Sequence, residues 1–178
     1  PLANARDRET EILWGLKDFA YRFQRPADAM WLPETAVNMD VLRDLVAHGM
    51  QYVILSPWQA QRIRPLKGGA WVDVSNGSID TTQPYRCFVE PDKGSTTNRK
   101  FIDIFFYNGQ TAAELSFGDL LSDSGRLLDH LGTKLSADKS HFQVLNVATD
   151  GETFGHHKHF AEMGLAYALS RLCPQRDW

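Results

Sequence analysis

The stretch that most constrains this chain lies near its C-terminal end, Val144-Leu-Asn-Val-Ala-Thr-Asp150-Gly-Glu152-Thr-Phe-Gly-His156-His157-Lys-His159. An apolar, β-branched run stops at Asp-Gly-Glu, and helical spacing then takes over. Phe160, Met163, Tyr167 and Ser170 form one stripe, with Ala161, Leu165, Ala168 and Leu172 beside it. The pattern predicts a buried strand over Phe142 to Ala148, a tight turn and a helix. The turn carries two carboxylates and three histidines follow it. In α/β proteins, chemistry gathers at the C-terminal ends of strands.

The remaining segments repeat this alternation. Asp7 to Gln24 has apolar residues at Ile12, Leu13, Leu16, Phe19, Ala20 and Phe23, with acids in its first turns. That is an amphipathic helix, closed by Arg25-Pro26. Met30 to Leu32 reads as a short strand stopped by Pro33, with Glu34 just past its end. Asn38 is positioned to cap a second helix with a stripe of Leu42, Leu45 and Val46 and a stop at Gly49. Gln51 to Ser56 reads as a strand covered on both faces. Ser56-Pro57 starts a further helical turn that carries Trp58.

Residues 67–100 differ in composition. Glycine, serine and asparagine clusters, including one at Lys93-Gly-Ser-Thr-Thr-Asn, separate short β-like pieces at Ala70 to Val74 and Tyr85 to Val89. Asn76-Gly77 between Trp71-Val-Asp-Val and Ile79 reads as a hairpin turn. This stretch is expected to be a small β excursion within a single domain of residues 1–178. Phe101 to Tyr107 is another strand, and Ala112 to Phe117 and Leu120 to Leu135 read as helices. Alternating strands and helices predict an α/β fold with a parallel sheet, open or curled into a barrel.

Composition excludes several functions. With 43% apolar and 23% charged residues the chain is a globular one. A net charge of −3 without a basic cluster argues against nucleic-acid partners. No apolar run approaches the ~18 residues a membrane span needs, so no membrane partner is expected. There is no secretory signal, and Cys87 and Cys173 form no CxxC pair; a cytoplasmic location with two buried free thiols is the expectation.

Glu34 and Asp150 both follow predicted strands. In a parallel sheet such positions share one rim, and glycosidic-bond hydrolysis needs two facing carboxylates, one to attack or stabilise the sugar cation and one to protonate the leaving oxygen. Against this, an Asp at a strand–helix junction is commonly an N-cap, and a Glu just after Pro suits a first helical turn. His156 and His159, spaced i, i+3, are expected on one helix face, with His157 pointing elsewhere. With Asp150 they offer a metal-binding alternative, although no CxxC or HExxH supports it. Trp31, Trp58 and Trp71 offer flat faces suited to sugar rings, a use that competes with ordinary core packing.

Taken in order, Trp31-Leu-Pro-Glu34-Thr-Ala, Ile54-Leu-Ser-Pro-Trp-Gln-Ala60, Gln83-Pro-Tyr-Arg86, Ile104-Phe-Phe-Tyr-Asn-Gly109, Ala148-Thr-Asp-Gly-Glu-Thr-Phe-Gly-His-His157 and Glu162-Met163 carry a resemblance. From about residue 25 onward the chain resembles the catalytic domain of glycoside hydrolase family 57, in particular its family-57-related bacterial subgroup. The resemblance implies an incomplete (β/α)7 barrel acting on α-linked glucan with retention of configuration. Glu34 is then the nucleophile and Asp150 the acid/base, their carboxyls roughly 5–5.5 Å apart as retention requires. Glu152, His156 and His157, with Trp31, Trp58 and Trp71, are the expected substrate contacts. The resemblance implies a polysaccharide or oligosaccharide substrate, no cofactor and no metal.

The family's early histidine motif, a further motif before the nucleophile and one beyond Asp150 do not appear in the sequence. The chain, which opens on Pro1, is therefore expected to be the middle of a barrel that works with the remaining segments of a parent chain. Alone it is expected to be weakly active or inactive. Two competing readings are a metal-dependent polysaccharide deacetylase, with Asp150 and His156 or His159 on zinc, and a non-catalytic glycan-binding domain.

Overall fold

A computed structural model describes residues 1–90, 99–138 and 140–177. The Lys93-Gly-Ser-Thr-Thr-Asn cluster lies outside the described residues. The chain divides into two compact units, one of Pro1–Leu55 with Pro84–Phe105 and the other of Ser56–Gln83 with Phe106–Trp178.

The first unit opens with helix α1, Ala5–Phe23. The Asn4 side chain accepts from the Asp7 N–H at 3.0 Å, and Gln24 closes the helix in the left-handed region at φ 54°. Only Ile12 of the predicted stripe is fully buried, and Phe23 stays largely exposed. Helix α2, Met39–Ala47, is capped as its sequence predicts: Asn38 Oδ1 accepts from the Val41 N–H at 2.9 Å, and Gly49 follows at φ 84°. Arg8 Nε donates to Asp44 Oδ2 at 2.5 Å, joining α1 to α2 through a half-buried ion pair.

This unit also holds three strands, β1 (Tyr52–Leu55), β4 (Pro84–Phe88) and β5 (Phe101–Phe106), in the order β1-β5-β4. Val53, Leu55, Ile102 and Ile104 are buried with Leu45 of α2. Burial alternates along both β1 and β5, so β1 is not covered evenly on both faces. β4 pairs antiparallel with β5 and sets Arg86 opposite Asp103, where the guanidinium forms two bonds at 2.8 and 3.0 Å. That pair keeps Arg86 firmly charged. The expected all-parallel sheet is therefore mixed, because Tyr85–Val89 returns as a partner of β5. The expected strand at Met30–Leu32 does not form; the neighbouring Ala29 makes one parallel bridge to Tyr52, and Pro33 opens a 3₁₀ turn directly after Leu32.

The second unit begins at Ser56. Gln59 Oε1 accepts from the Ser56 N–H at 2.8 Å in a capping box, but the turn stops at Gln59 as a single 3₁₀ turn. Strands β2 (Arg62–Ile63) and β3 (Val72–Asp73) pair antiparallel. Asn76-Gly77 does form a turn, with Gly77 at φ 79°, but Ile79 beyond it is a buried loop residue and not a hairpin strand. The stretch 67–100 thus contributes β3 to one ladder and β4 to another.

Helices α3 (Gly109–Phe117), α4 (Ser124–Gly132) and α5 (Ala161–Tyr167) complete this unit, capped by Asn108 and Asp123 on the first two. Leu115, Leu120, Leu127, Leu128 and Ala168 form its core, with Leu121, Leu131, Val147, Leu165 and Leu172 packed around them. Of the two stripes read after the His cluster, the Ala161/Leu165/Ala168/Leu172 stripe is the one turned inward. Phe160, Met163 and Tyr167 are more than half exposed. Past Tyr167 the helix widens into a π-turn over Ala168–Leu172. A buried Thr111 hydroxyl meets His130 Nε2 at 3.1 Å, and His130 Nδ1 meets Glu114 at 3.4 Å, tying α3 to α4.

The predicted strand over Phe142 to Ala148 is extended but unladdered. It makes backbone bonds from Val144 N–H to the Thr82 carbonyl and from Asn108 N–H to the Asn146 carbonyl, both 2.8 Å. Phe142 is fully exposed and the rest half-buried. An apolar, β-branched run selects extended backbone, but a strand exists only where a neighbour supplies a continuous ladder.

The burial pattern makes a test of which α5 face packs. Leu128→Ala should lower unfolding stability by about 2–5 kcal/mol, and Met163→Ala by no more than about 0.5 kcal/mol, measured by thermal or denaturant unfolding. Comparable losses for both would place Met163 in the core.

Candidate functional site

The segment after Val147 is held at both of its ends by the leucine core, through Val147 before it and Leu165, Ala168 and Leu172 after it. Between them a hydroxyl chain fixes the approach. Ser116 Oγ meets Thr149 Oγ1 at 2.5 Å, Thr149 meets Thr153 Oγ1 at 3.2 Å, and Thr153 is buried. Asp150 is extended and precedes a single turn, Gly151–Thr153. Its carbonyl accepts from the Thr153 N–H at 3.0 Å, but its side chain forms no cap bond. Capping therefore does not occupy Asp150: its residue is exposed, and its carboxylate has no hydrogen-bond or ion-pair partner among the described residues.

The next turn is closed by backbone bonds. The His157 N–H donates to the Glu152 carbonyl at 2.9 Å, Lys158 to Thr153 at 3.2 Å, and Gly155 to Lys158 at 3.0 Å. Lys158 Nζ also donates to the Gly118 carbonyl at the end of α3. Gly155 sits at φ 97°, and a Cβ there would lie 3.1 Å from Glu162 Oε2. The left-handed backbone favours glycine at this position, and a Cβ would also make the Glu162 side chain shift slightly.

This turn delays the helix. Residues 155–160 are not helical, Phe160 is left-handed at φ 65°, and α5 begins only at Ala161. His156 and His159 consequently share no helix face. Instead His156 packs edge-on against His157 with ring centroids 4.8 Å apart, and His157 Nε2 lies 3.9 Å from Glu152 Oε2. Glu152, His156 and His157 each present one ligand-type atom, all within 4.8 Å of one another. Asp150 and His159 do not belong to that group, so the zinc set built from Asp150, His156 and His159 is not the one formed. The Gly155 between Glu152 and His156 was the available signal: a left-handed glycine folds the following residues back.

Glu34 lies in the first unit. Leu32 is buried, and the Thr35 and Ala36 N–H groups close onto the Leu32 and Pro33 carbonyls, both at 2.9 Å. Glu34 has φ 55°, ψ 23°, and Thr35 has φ 52°. Two successive non-glycine residues in this region, one of them β-branched, are strained by about 1–2 kcal/mol each. Strain of this kind concentrates where function needs a fixed geometry. Glu34 is exposed and its carboxylate, like that of Asp150, has no side-chain partner among the described residues.

The tryptophans differ in availability. Trp31 is about half exposed, next to the Glu34 turn. Trp58 is 67% exposed and lies over Gly77, where a Cβ would fall 1.3 Å from its Cζ3. Gly77 therefore seats the indole. Trp71 stacks against two guanidiniums, Arg62 at 4.7 Å and Arg64 at 4.6 Å from its ring centroid, and remains about half exposed. Of the two free cysteines, both half-buried, Cys87 has its thiol pushed up by burial, which keeps it protonated and a poor nucleophile.

This fold is similar to that in the crystal structure of 4-α-glucanotransferase from Thermococcus litoralis, with a TM-score of 0.57 and 19% identity over 88% of this chain. The chain spans about a fifth of that structure, 21% of its length. No curated protein matches the sequence. The class is thus an α/β fold shared with a segment of a carbohydrate-active enzyme. Residues 1–175 match the family model described as Glycosyl hydrolase family 57, and the chain belongs to that family. No helix among the described residues is long and apolar enough to cross a membrane.

The strained Glu34 backbone yields a comparison of two variants. Both Glu34→Ala and Glu34→Gly remove an exposed side chain, but only glycine relieves the left-handed strain. Glu34→Gly should be the more stable by about 1 kcal/mol in denaturant unfolding. Equal stabilities would show that the backbone at Glu34 relaxes out of this conformation.

Proposed function

We propose that the chain supplies the catalytic carboxylates of a retaining glycoside hydrolase or transglycosylase acting on α-linked glucan. Glu34 attacks the anomeric carbon while Asp150 protonates the leaving glycosidic oxygen. Asp150 then takes a proton from water, or from the hydroxyl of an acceptor sugar, and releases the glycosyl group from Glu34. The framework proposed is a (β/α)7-type incomplete barrel, completed by the remaining segments of a parent chain. Trp31 and Trp58 would stack on sugar rings, and Glu152, His156 and His157 would bind sugar hydroxyls. Two unpaired thiols are in keeping with a cytoplasmic setting.

One observation carries this reading. Within a chain matched to family 57 over residues 1–175, the two acids that the motif resemblance singles out are both exposed on turns. Neither carboxylate is spent on a cap, an ion pair or a hydrogen bond among the described residues. The name of the structurally similar Thermococcus litoralis protein, 4-α-glucanotransferase, supports the substrate class proposed. The deacetylase reading gains nothing from the geometry, since Asp150 stands outside the histidine group.

In the full-length natural protein, Glu34→Gln should abolish turnover of α-glucans while glucan binding persists. Asp150→Asn should slow turnover by about 10²–10⁴-fold. The loss should be far smaller on an α-glucosyl fluoride, whose leaving group needs no proton. NMR of the first-formed product should show retained configuration. Turnover of Glu34→Gln near the wild-type rate removes Glu34 from the mechanism, and glucan binding without hydrolysis or transfer in the wild type favours a binding domain.

A further inference from the structure

The geometry points to a divalent transition-metal site formed by Glu152, His156 and His157. It does not involve Glu34 or Asp150, and it is a second use of the three side chains proposed above to meet sugar hydroxyls. Two imidazoles and a carboxylate form a borderline-soft donor set, suited to Zn²⁺ and disfavoured by the hard cations Mg²⁺ and Ca²⁺. Three protein ligands with an open fourth position is a common zinc arrangement.

Distances and backbone support the assignment. Ligands about 2.0–2.1 Å from a tetrahedral zinc stand roughly 3.4 Å apart, with about 4.1 Å the limit for opposed ligands. His157 Nε2 and Glu152 Oε2 are already 3.9 Å apart, and the three donor atoms lie within 4.8 Å of one another. Closing on a cation therefore takes side-chain shifts of order an ångström, made by groups that are 67% and 58% exposed at Glu152 and His157. The backbone need not move. The His157 N–H to Glu152 carbonyl bond and the left-handed Gly155 already fold the histidines back onto the glutamate. The two imidazoles are in edge contact at 4.8 Å with planes 61° apart. This solvent-facing imidazole pair and its neighbouring carboxylate contribute nothing to the core. None of the three residues is buried, and the backbone bonds that make the turn do not involve their side chains.

The test is calorimetric titration of the metal-stripped protein with ZnCl₂, followed by CoCl₂ with NMR detection of the histidine ring signals. One saturable Zn²⁺ per chain is expected, with no comparable heat from MgCl₂ or CaCl₂. Loss of an outer supporting group costs about 10–100-fold in metal affinity, so His156→Ala, His157→Ala and Glu152→Gln should each weaken binding at least tenfold. His48→Ala and His141→Ala should leave it unchanged. Co²⁺ should perturb the ring signals of His156 and His157 ahead of the other histidines. Circular dichroism of the variants should match the wild type, since all three side chains are exposed. Absence of saturable binding, binding undiminished in His156→Ala, or equal loss in His48→Ala overturns the proposal. Zinc binding that persists in Glu34→Gln and Asp150→Asn separates this site from the glycosidase reading.

Discussion

Removal of leucine side chains from water holds the second unit's working loop. Leu115, Leu120, Leu127 and Leu128 form a cluster that Val147 enters from one side of the Asp150 loop and Leu165, Ala168 and Leu172 from the other. Anchoring both ends of a loop on one apolar cluster lets its middle stay exposed without being free. The hydroxyl chain through Ser116, Thr149 and Thr153 then fixes the step before Asp150. Backbone bonds from the His157 and Lys158 N–H groups to the Glu152 and Thr153 carbonyls fix the step after it. The polar residues of the loop are left with little structural duty, and that is the condition under which side chains become available for chemistry.

The two acids singled out by motif reach that condition by different routes. Asp150 stands at the start of a turn, in the position of a cap, yet the turn is too short to need its side chain, because the Thr153 N–H is met by the Asp150 carbonyl. Glu34 is held out by strained backbone, with Pro33 before it and the left-handed Thr35 after it. Pro33, with φ fixed by its ring and no N–H to satisfy, starts the turn that carries Glu34.

Much of the fold is legible in local chemistry. Asn38 caps its helix because a side-chain oxygen three residues from a free N–H decides the matter within one turn. Ile102 and Ile104 alternate with Asp103 because successive side chains of a strand point to opposite faces. The family resemblance read from the Trp31-Leu-Pro-Glu34 and Asp150-Gly-Glu motifs agrees with the match over residues 1–175. The strands read at Gln51–Ser56, Tyr85–Val89 and Phe101–Tyr107 found neighbours, but other inferences that needed a particular partner failed. Val144 and Asn146 look like strand residues but find one backbone bond each, and Ile79 looks like half of a hairpin whose other half, β3, pairs with β2 instead. Arg62 and Arg64, which cover Trp71, carry no pattern linking them to that ring.

The sequence by itself determined the Asn38 cap, the turns at Gly49 and Gly77 and the family, because each depends on a few neighbouring residues or on an ordered set of motifs. Only the tertiary structure decided that β4 runs antiparallel to β5 and that the Ala161 stripe of α5 is the buried one. It also decided that Glu152, His156 and His157 gather without His159. Those outcomes turn on which surfaces meet and on how a left-handed glycine redirects the chain. Such choices are made by competition among distant segments for the same apolar area and the same unpaired N–H groups, and no short stretch of residues contains both competitors.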